Sequence, residues 1–194
     1  MNIVIDPTIQ NALTLPQQSF LTLVQECYPN LTFDCFIMER GTGQVSIYLT
    51  PLSERLGRPG LCLLTSSWKQ LAALQLSDRP GRPPLCLWMD PGDVPSLAFS
   101  GWHTHGNCYA GCETDLEAQA SIIFDLLDGI LADDIVVIST SPNEANHNYY
   151  CILKDTADAE EIEDLLTDPK SPGQLYVHSW TGRLAGSLID LLKW

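Results

Sequence analysis

The sequence predicts a single domain of the α+β, or mixed α/β, class, in which a central, mostly antiparallel sheet is flanked by helices. Three observations support this fold class. The chain has 194 residues, 45% of them hydrophobic and 18% charged, which is enough for one full core. Segments with helical periodicity are mixed with short β-rich runs. Two of these runs flank a glycine-containing turn, which indicates an antiparallel hairpin.

The first half of the chain predicts a helix, a hairpin and a second helix. Residues 31–51 are two β-rich runs around RGTGQ, whose glycines permit the turn. Residues 66–78 (SSWKQLAALQLSD) form the second amphipathic helix, with Ser66 or Ser67 as its N-cap. In the first helix, within 16–28, apolar residues recur at helical spacing at Phe20, Leu21, Leu23, Val24 and Cys27.

The second half predicts short strands around the strongest helix. Residues 85–90 and 96–102 are short strands separated by PGDVP. Residues 115–130 form a helix whose apolar stripe consists of Leu116, Ala120, Ile123 and Leu127, widened by Ile122 and Leu126. Two buried strands, a short acidic helix and an amphipathic C-terminal segment follow, at 133–140, 149–155, 158–168 and 178–194.

The composition excludes several classes of function. No apolar run approaches the roughly 18–20 residues of a membrane span. The N-terminus, MNIVIDPTIQ, lacks the basic region of a secretory signal and carries Asp6. The net charge of −14 argues against binding nucleic acid, which requires a basic surface, and solubility explains it most simply. The seven cysteines are odd in number and scattered, so we expect reduced thiols and a cytoplasmic protein.

The chemistry of the sequence is concentrated in GWHTHGNCYAGCETD, residues 101–115. His103 and His105 stand two positions apart at the end of a predicted strand, so both imidazoles project to the same face and can reach one metal. Asp115 opens the long helix that follows. Two histidines and one carboxylate leave the fourth position of a zinc ion free for water, which is typical of catalytic zinc sites.

Two other interpretations of this cluster stay open. His103, His105, Cys108 and Cys112 could fill all four positions of a closed, structural zinc site. Alternatively, the two histidines are surface or hydrogen-bonded side chains that bind no metal. A cytidine-deaminase-like site is excluded, because the glutamate two residues after the histidine and the later Pro-Cys-x-x-Cys are missing.

The stretch GWHTHG…CETD resembles the JAMM motif of the MPN/JAB-domain zinc metalloproteases. In that family an apolar strand ends in His-x-His-Pro, and a serine and an aspartate follow. The order of the predicted helices and strands is also similar over about residues 15–155, which leaves 156–194 as a C-terminal helical extension.

The resemblance implies a set of ligands and an activity. His103, His105 and Asp115 would bind Zn²⁺, and Cys112 would take the place of the serine that helps to hold the substrate carbonyl oxygen. Members of the family cleave peptide or isopeptide bonds at the C-termini of ubiquitin-like proteins, or release cysteine from sulfur-carrier conjugates. The expected reaction is attack by zinc-bound water on a carbonyl of a protein substrate, such as a ubiquitin-like C-terminal tail.

The chain departs from the family pattern at three places. Gly106 replaces the usual proline, and nine residues instead of ten separate His105 from Asp115. The third departure is Cys112, because a thiol is a poorer hydrogen-bond donor than a serine hydroxyl.

The family's general base, a glutamate near the start of the first hairpin strand, has no direct counterpart. Asp34 is the candidate by position and Glu39 by chemistry, and the alternation of side chains puts them on opposite faces of the strand. Glu26, at the end of the first helix, is the next candidate. If none of them reaches the metal, the chain is a non-catalytic interaction module on the same fold. Thiolates on the metal would instead indicate a structural zinc protein that uses Cys108 and Cys112.

Overall fold

A computed structural model of the chain describes residues 3–40, 44–51, 62–65, 85–92, 94–109, 114–139, 149–153, 176–182 and 186–187. Cys112, the predicted helices at 66–78 and 158–168, and most of the predicted C-terminal segment lie outside these residues. Contacts divide the chain into two compact units. The first contains residues 1–80, 85–98 and 103–123, and the second contains 81–84, 99–102 and 124–194. The assignment of residues 1–194 to a single domain stays a prediction.

The helices and strands that were predicted and are described lie in the predicted order. Two details differ: a turn divides the strand predicted at 96–102, and two strands, Tyr176–His178 and Gly186–Ser187, lie in the segment expected to be a helical extension. The helices are α1 (Pro7–Gln10), α2 (Leu15–Cys27) and α3 (Leu116–Leu131). Within the described ranges, no helix combines the length and the apolar character that a membrane span requires. The strands are β1 (Phe33–Arg40), β2 (Gln44–Pro51), β3 (Cys62–Thr65), β4 (Leu85–Met89), β5 (Pro95–Phe99), β6 (Trp102–His105), β7 (Ile135–Ser139), β8 (Tyr149–Leu153), β9 (Tyr176–His178) and β10 (Gly186–Ser187).

The first unit is built on a six-stranded sheet. Its strands lie in the order β3-β1-β2-β4-β5-β6. The predicted hairpin is confirmed, because β1 and β2 pair antiparallel from Phe33↔Pro51 to Arg40↔Gln44. β2 pairs antiparallel with β4, whereas β3 pairs parallel with β1. Strand β3 was not predicted, since four residues show too little alternation to identify a strand.

Successive side chains of each strand point to opposite faces of this sheet, and both faces carry buried residues. One face contains the cluster of Phe36, Met38, Tyr48, Cys86 and Trp88, against which Ala98 packs. The other face carries Ile37, Ile47, Leu49, Leu87 and Leu97, all fully buried. A sheet buried on both faces must be covered by other segments of the chain on each face.

Helix α2 is anchored by its first turn. Thr14 is the N-cap, and Thr14 and Gln17 form a reciprocal capping box. The Gln17 side chain is fully buried, and its Nε2 donates to the carbonyl oxygens of Val45 at 2.7 Å and Met89 at 3.3 Å. One glutamine therefore caps the helix and joins it to two neighbouring strands, β2 and β4.

The second unit contains a separate sheet, with its strands in the order β10-β9-β7-β8 and all pairs antiparallel. Its central strand, β7, is buried along its whole length, as predicted. The Ser139 hydroxyl lies 2.8 Å from Nε2 of His178 on β9. Burial lowers the pKa of His178 below its ordinary value, because the charged imidazolium loses hydration there.

The C-terminus of α3 is closed by an aspartate in a conformation usually reserved for glycine. Asp133 has φ 60°, and the bonds Asp134 N–H to Gly129 O and Asp133 N–H to Ile130 O form a Schellman motif. The carboxylate of Asp133, only 1% exposed, accepts hydrogen bonds from the backbone N–H and the hydroxyl of Thr181. These bonds hold the strained residue in place and tie the helix end to the segment after β9.

The predicted fold class is confirmed at its coarse level: the chain is mixed α+β with mostly antiparallel strands. One aspect differs from the expectation of a single central sheet, because the described strands form two sheets. Strand pairing between distant segments depends on contacts that no local pattern reports, so the sequence identified the strands better than their partners.

Candidate metal centre

The two histidines are presented by a tight hairpin. Ser100 and Gly101 join β5 to β6 with φ values of 49° and 89°, and two successive positive φ angles are typical of a two-residue turn of type I′. In the short strand that follows, His103 and His105 share one face by alternation, and Thr104 points the other way. The Thr104 hydroxyl contacts the Tyr109 hydroxyl at 3.2 Å.

The imidazole rings of the two histidines lie side by side. Their centroids are 5.5 Å apart and their planes are inclined by 80°. Two imidazoles on one tetrahedral zinc, bound through nitrogen–zinc bonds of about 2.1 Å, have centroids about 5 Å apart. The spacing of His103 and His105 therefore fits two ligands of the same metal ion.

A tryptophan of β4 lies beside this pair. The ring centroid of Trp88 lies 5.6 Å from that of His105 and 6.2 Å from that of His103. Trp88 is itself buried in the apolar cluster of the sheet, while His103 is exposed and His105 is partly buried. The pair is thus supported by packed side chains on one side and reaches solvent at His103.

Ser96, on β5, holds the ring of His105. Its hydroxyl lies 2.7 Å from His105 Nδ1, and only 1% of Ser96 is exposed. Histidines that bind metals commonly use their second ring nitrogen in a hydrogen bond of this kind, which orients the ring. With Nδ1 engaged, Nε2 is the nitrogen of His105 that remains for a metal.

Asp115, the expected third ligand, serves as the start of α3 in this structure. Its Oδ1 accepts hydrogen bonds from the N–H groups of Glu117 at 3.0 Å and Ala118 at 3.4 Å, and its side chain is exposed. Among the described residues, no three His, Cys, Asp or Glu side chains are grouped so as to hold a metal. Asp115 accordingly does not join His103 and His105 in a triad here, and its role as a ligand stays a prediction.

The segment between the histidines and α3 begins with a 3₁₀ turn, Gly106–Cys108. A Cβ added at Gly106 would come within 2.7 Å of the Cβ of Gln119, a residue of α3. This close approach leaves no room for a side chain at position 106. Cys108 is an exposed free thiol, and Cys112 lies outside the described residues, so the closed site stays untested.

The candidate general bases lie on β1, far along the sheet from the histidines. Phe36 pairs with Tyr48, and Tyr48 pairs with Trp88, so Phe36 lies on the same face of the sheet as Trp88. The histidine rings lie beside Trp88 on that face. By alternation Asp34 is on that face and Glu39 on the opposite one. Three strands separate β1 from β6, a distance of about 19 Å along a sheet with the usual strand spacing. Neither carboxylate, nor Glu26 at the end of α2, joins the described histidine pair.

Sequence reasoning did not identify Ser96 and Trp88 as residues of the site. Each lies on a different strand from the histidines, and their proximity depends on the order β4-β5-β6 in the sheet. A serine or tryptophan in a buried strand carries no local signal of such a role. The one available clue was the hairpin. Ser96 lies on β5 a few residues before the turn, so it stands opposite a residue of β6.

Comparison of the chain with models of known protein families gave no match, and comparisons with curated proteins and with solved structures gave none either. The likeness to the JAMM metalloproteases therefore rests on the sequence motif and on the order of the predicted helices and strands.

Proposed function

We propose that this chain is a zinc-dependent hydrolase of peptide or isopeptide bonds, with His103 and His105 as metal ligands. The observation that carries the proposal is the histidine pair: the rings are 5.5 Å apart, and Ser96 occupies Nδ1 of His105. This arrangement suits a metal, because the two imidazoles are neighbours and Nε2 of His105 stays available to an ion.

Bound Zn²⁺ would supply a Lewis acid that polarises a substrate carbonyl and lowers the pKa of water. Around it, Ser96 orients His105, and Trp88 excludes solvent from one side of the pair. Asp115 is the proposed third protein ligand through the motif resemblance. Asp34 and Glu39 stay candidate bases through that resemblance only, because three strands separate β1 from β6 and a base must lie within hydrogen-bond reach of the metal-bound water. Cys112 would assist the substrate carbonyl.

The proposed substrate is a protein, with the C-terminal tail of a ubiquitin-like or sulfur-carrier protein as the first class to test. An extended tail lacks bulky structure at the bond to be cleaved, which suits a histidine pair that reaches solvent at His103. The net charge of −14 disfavours nucleic acid as a partner and is compatible with a basic protein surface. We place this reaction in the cytoplasm, in line with the reduced thiols proposed for the chain.

A second candidate function is a non-catalytic interaction module on an MPN/JAB-like fold. Two observations favour it: no described carboxylate joins the histidine pair, and the side chain next to the pair is the aromatic ring of Trp88. In that case the metal, where bound, would have a structural role. A structural zinc site completed by Cys108 and Cys112 would be one form of this non-catalytic role.

Metal binding is the first test. The purified protein should contain about one zinc per chain, and the double variant His103→Ala, His105→Ala should contain none. His178→Ala removes a histidine from the second unit and is the matched control, which should keep the zinc. Asp115→Ala should weaken zinc binding less than the double change, since water can replace a carboxylate ligand. A parent protein that holds no zinc, and takes up none when it is added, would refute the proposal.

Cleavage separates the two candidate functions. The zinc-loaded parent should cleave ubiquitin-like or sulfur-carrier fusions, and the double histidine variant should not. Asp34→Asn or Glu39→Gln should reduce the rate by about 10²–10⁴ and leave the zinc content intact, if that residue is the base. A zinc-containing parent that cleaves none of these substrates would replace the hydrolase with the interaction module.

A further inference from the structure

The hydroxyl of Ser96 lies between two partners. Its Oγ is 3.1 Å from the carbonyl oxygen of Val94 and 2.7 Å from Nδ1 of His105. Ser96 is 1% exposed, so bulk water cannot take over either contact. The number of protons available to these three groups then determines which nitrogen of His105 carries hydrogen.

A carbonyl oxygen can only accept a hydrogen bond, and a serine hydroxyl has one proton to donate. The contact with Val94 therefore uses the proton of Ser96. The contact between Ser96 and His105 can form at the same time only if the imidazole donates, which requires the proton on Nδ1. In the neutral ring, Nε2 then has no hydrogen and keeps its lone pair.

We infer that Ser96 is a positioning residue, which fixes His105 in the tautomer protonated on Nδ1 and so presents the lone pair of Nε2. The hydrogen bonds run in one direction, from His105 Nδ1–H to Ser96 Oγ and from Ser96 Oγ–H to the Val94 carbonyl. The consequence for metal binding rests on the proposed function, but the tautomer is a property of the metal-free protein. A free histidine favours the other tautomer, so this arrangement removes the need to move a proton when a metal binds.

The tautomer can be read directly from long-range ¹H–¹⁵N spectra of the metal-free protein at about pH 8.5, well above the ordinary imidazole pKa of about 6.5. His105 should show a protonated Nδ1 and an unprotonated Nε2. Ser96→Ala should move the ring towards the Nε2-protonated form. Ser46→Ala is the matched control: Ser46 is a fully buried serine on β2 whose hydroxyl donates to Asp90 at 2.8 Å, and its removal should leave His105 unchanged.

A protonated Nε2 in the parent would overturn the inference, and so would a tautomer that Ser96→Ala does not alter. If Ser96→Ala fails to fold, the spectrum of the parent still shows which ring nitrogen of His105 carries the proton. Conversion of the ring in Ser96→Ala but not in Ser46→Ala would support it.

Zinc affinity tests the consequence. Ser96→Ala should weaken zinc binding by about 10–100-fold, the usual effect of losing a group that orients a ligand, and Ser46→Ala should not. Equal zinc affinity of Ser96→Ala and the parent would overturn the positioning role. A parent that binds no zinc and yet carries the proton on Nδ1 would refute the proposed function and support the assigned tautomer, so the two failures are distinguishable.

Discussion

Replacing Gly106 by alanine should destabilise the first unit and weaken the proposed metal site. The new Cβ would stand 2.7 Å from the Cβ of Gln119, 3.0 Å from its carbonyl oxygen and 3.1 Å from its Cα. Carbon atoms in contact prefer about 3.5–4.0 Å, so the closest approach is short by about 1 Å. The opposing atoms belong to the backbone and Cβ of α3 and cannot rotate away. Overpacking of this kind costs about 1–3 kcal/mol, and the reduced entropy of the unfolded chain offsets about 0.4–1 kcal/mol of it.

The expected net loss is therefore on the order of 1 kcal/mol of unfolding free energy and at most about 2.6 kcal/mol, measured as a lower urea midpoint at unchanged m-value. Gly92→Ala is the control, because nothing lies within 4 Å of its added Cβ. That variant should be neutral or slightly more stable. Zinc binding should weaken only in Gly106→Ala, because the shift needed to relieve the contact acts next to His105. A Gly106→Ala protein with the same midpoint as the parent would contradict the close approach between residue 106 and Gln119.

Three further predictions concern buried polar groups. Gln17→Ala should cost about 1–3 kcal/mol because two buried carbonyls of the sheet lose a donor, whereas Gln18→Ala, which loses one hydrogen bond to the Leu13 carbonyl at the surface, should cost under about 1 kcal/mol. Asp133→Ala should cost about 2–4 kcal/mol through lost hydrogen bonds and a strained φ, and the exposed Asp125→Ala much less. Equal urea midpoints within either pair would contradict these roles. Burial lowers the pKa of His178, so the unfolded chain takes up the proton first and stability should fall as pH drops below about 6.5. His178→Gln should flatten this dependence, and an unchanged slope between about pH 8 and 5.5 would refute it.

Periodicity and turn chemistry were sufficient to locate most elements. The first helix, the hairpin and the long helix were predicted at 16–28, 31–51 and 115–130, and the structure has them at Leu15–Cys27, Phe33–Pro51 and Leu116–Leu131. These signals are local: they arise from side chains three or four positions apart on a helix, or two apart on a strand. The same local rule placed His103 and His105 on one face, and their rings do lie together.

Other features depended on segments that are distant in the sequence. The order of the strands in space decides three of them: the separation into two sheets, the parallel pairing of β3, and the position of Trp88 beside the histidines. The sequence could offer Asp34 and Glu39 as bases, but it could not report the three strands that intervene between β1 and β6. Likewise, an aspartate at the start of a helix is a common N-cap as well as a possible ligand, and no pattern distinguishes the two.

By itself, then, the sequence determined the class of fold, the main helices and hairpin, and the pair of imidazoles on one strand face, because each follows from the chain's local geometry. Only the tertiary structure decided that Ser96 holds His105, that Trp88 stands beside both rings, and that Gly106 must lack a side chain beside α3. Those relations join residues on separate strands and helices. Their energies come from packing and from satisfying buried polar groups, which exist only once the segments have come together.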